Sequence, residues 1–225
     1  MKKLILLITM ISTGMVFAQP STPSAGEAFG KMKGGGMALT PWLGWNIPAG
    51  DAIDSAKNAT SASATAASGA SSASSNPGGI SGGVDAYYGL NSLFSMGVSI
   101  SVLQFSSVTS TTGTSTTTGG NLYVPAMLMG QLSYPIPGQE GIQAKAFAGF
   151  GYAFSVSTGS VPTGVPSTAA NDPAATIGLG AAYKVLDKLW VDAGFRAGLV
   201  MSGGLKASST INWNLTPYLG ATFQL

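Results

Sequence analysis

Ile142-Gln143-Ala144-Lys145-Ala146-Phe147-Ala148-Gly149-Phe150-Gly151-Tyr152-Ala153-Phe154-Ser155 alternates in chemistry residue by residue. The even positions Ile142, Ala144, Ala146, Ala148, Phe150, Tyr152 and Phe154 are all apolar, whereas the odd ones mix polar, charged and small residues with Phe147. Successive side chains of an extended chain point to opposite faces, so the stretch predicts a strand with one face suited to lipid and one to a packed, polar interior.

The same contrast recurs towards the C-terminus. Ala175, Ile177, Leu179, Ala181, Tyr183 and Val185 are interleaved with Thr176, Gly178, Gly180, Ala182 and Lys184. Leu189 to Met201 is apolar on its odd positions, with Trp190, Asp192, Gly194, Arg196 and Gly198 between them, and the chain ends on a further alternating run from Ile211 to Leu225. Upstream, the pattern predicts strands over 37–47, 84–90, 94–105 and 122–134, which makes eight in all. In the third of these the apolar parity moves from Val102 to Leu103 and Phe105, which predicts a β-bulge near Val102. Pro41 and Pro125 are unfavourable inside paired strands, because proline has no N–H for the ladder.

Charged residues make up only 8% of the chain and the mean hydropathy is +0.31, whereas an ordinary soluble domain carries roughly 25% charge. Yet after Ala18 no run approaches the roughly 18 uninterrupted apolar residues of a membrane helix. A closed barrel is the other way to satisfy every backbone group within a bilayer. Lys2 and Lys3 precede an apolar run from Leu4 to Phe17, and Val16 and Ala18 stand at the small-residue positions of a signal peptide cleaved after Ala18. The expected organisation is a signal peptide over 1–18, a periplasmic N-terminal segment over 19–36 and an outer-membrane β-barrel over 37–225.

The connections alternate in length, as the turns and loops of a transmembrane barrel do. Three are short, at 91–93, 135–141 and 186–188; between them lie polar stretches near 48–83, 106–121, 156–174 and 202–210, which read as long loops. The short turns hold an odd number of residues, which keeps like faces matched across each hairpin. Lipid-facing aromatics fall into two belts: Tyr88, Phe94, Tyr134, Tyr183 and Phe223 near the short turns, and Trp45, Phe105, Phe150, Tyr152, Phe154 and Trp213 at the other end. Leu39-Thr40-Pro41-Trp42-Leu43-Gly44 recurs as Leu215-Thr216-Pro217-Tyr218-Leu219-Gly220 in the first and last strands, which would meet at barrel closure.

With these features the chain resembles the small outer-membrane β-barrel proteins of the OmpA transmembrane-domain, OmpX and OmpW type. That resemblance implies an antiparallel eight-stranded barrel with short periplasmic turns and long extracellular loops in the bacterial outer membrane. It also implies a C-terminal strand read by the barrel-assembly machinery, although Phe223 lies two positions before the terminal Leu225. Outer-membrane lipids are the expected surroundings, and the long loops would meet an extracellular partner.

The chain has no histidine and no cysteine. Barrel enzymes of the outer membrane resemble one another in relying on histidine, so no catalytic residue, cofactor or metal site is expected. Without Lys2 and Lys3 the chain holds eight basic and eight acidic residues, which gives no reason to expect nucleic-acid binding. Five charges fall on lumen faces: Asp85, Lys145, Lys184, Asp192 and Arg196. Lys184 would face Trp190 and lie diagonal to Asp192, within reach of both. These charges either neutralise one another in a filled lumen or form a polar constriction that gates solutes. Met127 and Met129 read as gap fillers.

Two functions follow. An eight-stranded barrel is only wide enough for its own side chains, which favours a structural or surface-interaction protein with a filled lumen. The alternative is a narrow channel for small uncharged or hydrophobic solutes, given room by lumen glycines such as Gly149, Gly178, Gly180 and Gly198. A soluble secreted barrel would need its apolar face inside.

Overall fold

The computed structural model describes residues 36–50, 71–112, 115–139, 141–158, 171–202 and 210–225. The expected signal peptide and all of the 19–36 segment except Gly36 lie outside the described residues. Nine strands follow one another: β1 (Met37–Gly50), β2 (Ser71–Pro77), β3 (Gly79–Gly89), β4 (Phe94–Thr112), β5 (Ser115–Pro135), β6 (Ile142–Thr158), β7 (Asn171–Leu186), β8 (Leu189–Ser202) and β9 (Thr210–Gln224). From β3 to β9 each pairs antiparallel with the next, and β1 pairs with β9 on one side and β3 on the other, so the sheet closes.

β2 and β3 act as one line of chain: β3 pairs with the first half of β4, and β2 continues along it from Pro77↔Ser106 to Ser71↔Thr112. Gly78 joins them at φ 87°. A Cβ there would collide with the Asn46 carbonyl oxygen and lie 2.9 Å from Pro48 Cδ, so this break in the line requires glycine. The wall therefore has the eight strands expected from the alternation.

The outward face is apolar: Leu179 (68% exposed), Phe150 (67%) and Ile177 (64%) stand clear of the wall. Inward lie polar groups such as Asp85, Ser99, Asp192 and Thr216, all close to fully buried. This is inverted relative to a soluble protein and excludes the secreted barrel with an apolar interior. The belts lie on the outward face, with Tyr88, Phe94, Tyr134, Tyr183 and Phe223 exposed at the short-turn end and Trp45, Phe150, Tyr152, Phe154 and Trp213 towards the other. The repeated Leu-Thr-Pro segments do meet at closure, with Leu43 opposite Leu219 and Gly44 opposite Tyr218.

Several boundaries differ from the sequence-based expectation. The stretch 106–121, expected as a loop, is paired from Ser106↔Asn121 to Thr112↔Ser115, and the strand expected over 84–90 starts at Gly79. Beyond the lipid a strand needs no apolar face to be stable in its ladder, and β-branched threonine suits an extended chain; alternation therefore marks only the membrane-embedded part. Of the loop expected over 48–83, residues 51–70 lie outside the described residues. The bulge falls between Gln104 and Ser106 rather than at Val102. Parity never shifts there: Val102 faces out and Leu103 is an apolar residue turned into the lumen. At 186–188, Leu186 pairs with Leu189 and an irregularity at Val185 absorbs the odd residue. Pro41 and Pro125 sit within the ladders, opposite Val84 and Ala153.

Candidate functional site

The lumen is built by inward positions of the strands, and four of its charges form two buried ion pairs. Asp85 on β3 and Arg196 on β8 meet across the interior, although their strands are not neighbours. The Ser99 hydroxyl donates to Asp85 Oδ1 at 2.6 Å and the Trp42 indole N–H donates to the same oxygen at 3.2 Å. Ser99 reaches it because it is the register partner of Asp85. The guanidinium lies over three rings, Trp42 at 4.2 Å, Phe147 at 4.7 Å and Tyr218 at 4.8 Å from their centroids. Tyr218 meets both other rings edge-on at 6.1 Å. A planar guanidinium can stack while it binds a carboxylate, which an ammonium cannot.

The second pair joins Lys145 on β6 to Asp192 on β8. Thr222 donates to Asp192 Oδ2 at 2.5 Å and accepts from Lys145 Nζ at 3.2 Å, and its hydroxyl lies 2.7 Å from that of Thr40. Since the Thr222 proton goes to the carboxylate, Thr40 donates to Thr222. Asp85 and Asp192 thus each carry a cation and at least one hydroxyl, the arrangement that buried charge demands.

Lys184, expected near Trp190 and Asp192, joins neither. It is the register partner of Trp190, but its Nζ turns to Asp187 Oδ1 at 2.9 Å in the β7–β8 turn, with a third of its side chain exposed. Asp192 is already occupied by Lys145 and Thr222, and leaving Lys184 hydrated avoids burying a third cation. The Lys184 ammonium holds the Asp187 carboxyl below its ordinary range.

The lumen glycines are covered. A Cβ on Gly149 would strike Met129 Sδ, one on Gly178 the Phe147 ring, and one on Gly198 the Asn214 amide; one on Gly180 would lie 2.7 Å from both the Tyr218 hydroxyl and the Ala193 carbonyl. The room these glycines leave is taken by side chains from other strands. Two small cavities of about 20 Å³ each are found in the lumen. Arg196 and Trp42 line one; Lys145, Tyr87 and Trp190 line the other.

Trp42, Phe147 and Ser99 complete the site and were not singled out from the sequence. The alternation of β1 puts Trp42 on the inward parity with Ala38 and Thr40, so its direction was readable; its contact with Arg196 was not.

The sequence profile of the outer membrane protein beta-barrel domain matches residues 8–216. The chain belongs to that family. It is a bacterial outer-membrane protein whose outward face meets lipid. None of the curated proteins compared with it matches. Among solved structures it is similar to Neisserial surface protein A, at 11% identity and a TM-score of 0.50 over 84% of this chain and 97% of that one. It is also similar to Ail, the attachment invasion locus protein of Yersinia pestis, at 12% identity and a TM-score of 0.47 over 86% of this chain and 100% of that one. At such identities the first likeness is one of fold.

Proposed function

We propose that this outer-membrane barrel has a structural or surface-interaction role and keeps its lumen closed with its own side chains. The observation that carries the reading is the filling of the interior: side chains cover the inward faces of Gly149, Gly178, Gly180 and Gly198, and the two ion pairs with Trp42, Phe147 and Tyr218 occupy the space between the strands. Buried charges held in ion pairs favour one packed arrangement over a hydrated passage.

The short turns face the periplasm and the ends of β4 and β5 project outward from the cell. A transmembrane strand needs roughly 9–11 residues, and β4 and β5 have 19 and 21. The surplus gives a partner outside the cell a paired, serine- and threonine-rich hairpin to meet. The barrel-assembly machinery engages β9, whose outward Phe223 lies at the closing seam with β1, just before the exposed Leu225. The charged lumen residues hold the fold together and catalyse nothing.

Purified protein in a planar bilayer is expected to show no steady conductance. A stable, ion-selective conductance whose selectivity changes in Asp192→Ala would overturn this reading in favour of a narrow channel.

A further inference from the structure

The cavity beside Arg196 carries two buried polar atoms with no hydrogen-bond partner among the described residues: Arg196 Nε and Asn214 Oδ1. The side chains of both residues are more than nine-tenths buried, and both residues line the cavity. The Asn214 orientation follows from its neighbours. The Gln104 carbonyl can only accept, so Asn46 Nδ2 points to it at 2.8 Å and Asn46 Oδ1 faces Asn214. Asn214 Nδ2 must then donate to that oxygen, at 2.7 Å. Its own Oδ1 is left over Gly198, another residue of the cavity wall. Each Arg196 Nη donates to Asp85, which leaves Nε as the guanidinium nitrogen with no partner.

The wall thus offers one donor atom and one acceptor atom without partners, beside the hydroxyl-bearing Ser101, Thr176 and Thr216, while Leu103, Pro125, Met127, Ala174 and Val200 are apolar. An unpaired buried polar group costs free energy, and a hydroxyl, the smallest neutral group that both accepts and donates, relieves both at once by accepting from the first and donating to the second. A charged ligand would have no counter-ion here, because Arg196 is neutralised by Asp85. A space of about 20 Å³ admits a water molecule, and the flexible thioether of Met127 can yield to a carbon or two more.

We propose that this cavity is a binding site for one neutral hydroxyl group, that of water or of a small alcohol, held between Arg196 Nε–H and Asn214 Oδ1. The site shares Arg196 with the Asp85 ion pair and uses the guanidinium nitrogen that Asp85 does not engage.

Arg196 is the only arginine in the chain, so arginine-labelled protein in lipid nanodiscs gives one Nε–H resonance that reports the site alone. The expected result is a cross-relaxation signal between this proton and a long-lived water. Methanol should then shift the resonance saturably, and acetonitrile, which accepts but cannot donate, should shift it far less. Ala174→Val, which fills the cavity without touching a polar group, and Asn214→Ala, which removes the acceptor, should each abolish the saturable shift; heat-modifiable gel migration verifies that both variants are folded. A water signal without a methanol shift keeps the site and assigns it to water. Neither signal, or a methanol shift unchanged in a folded Ala174→Val protein, would overturn the proposal.

Discussion

At the scale of single residues, the lumen charges are held by specific partners, and their removal should be costly. Asp192→Ala leaves Lys145 buried without its carboxylate, which should destabilise the barrel by about 3–5 kcal/mol. Replacing both partners with apolar residues, Lys145→Met with Asp192→Leu, should recover most of that loss. Reversible unfolding in lipid vesicles measures both, and equal losses in the single and double variants would show that the pair has no special weight. On the outer face, Leu179 is fully presented to lipid, so Leu179→Arg should cost about 2–4 kcal/mol near the bilayer midplane. Gly180→Ser, on the opposite parity, is not the benign control that the alternation alone suggests. Its Cβ would press 2.7 Å from the Ala193 carbonyl and the Tyr218 hydroxyl, so the same unfolding assay should register a loss there too.

At the scale of elements, the line formed by β2 and β3 depends on one left-handed residue. Gly78→Ala must adopt φ 87° against the Asn46 carbonyl, at a cost of about 1–3 kcal/mol for strain of this kind. Because β3 is anchored on both sides by β1 and β4 while β2 pairs only with β4 among the described residues, the loss should be taken up by β2. Hydrogen exchange should therefore accelerate over 71–77 and stay slow over 79–89; uniform acceleration would show that the two segments form one cooperative unit. The β3–β4 turn relies on Asn91, whose side-chain oxygen accepts from the backbone N–H of Leu93 and Phe94, both at 2.8 Å, a side-chain turn that asparagine readily forms. The strands expected from apolar alternation match the lipid-facing parts of β1 and β4 to β9. Their polar continuations were not readable in that way, since a paired backbone outside the bilayer leaves no hydropathy signature.

At the scale of the whole molecule, the proposed topology places the β4–β5 hairpin outside the cell. An epitope tag inserted between Gly113 and Thr114, at the tip joining Thr112 to Ser115, should be recognised by antibody on intact cells while the barrel retains heat-modifiable migration. Recognition only after permeabilisation would invert the topology. The eight strands, the inward and outward faces and the aromatic belts were determined by the sequence itself, because each depends on residue parity and on how much of a strand the bilayer covers, which are read locally along the chain. The pairing of charges was decided only by the tertiary structure. Lys145 finds Asp192 two strands away, Arg196 crosses the interior to Asp85 and three rings, and Lys184, adjacent in register to the cluster, turns out to the rim. Register tells which side chains are neighbours on the wall; closure brings opposite walls together, and across that short distance the strongest partners are set by barrel curvature and side-chain length.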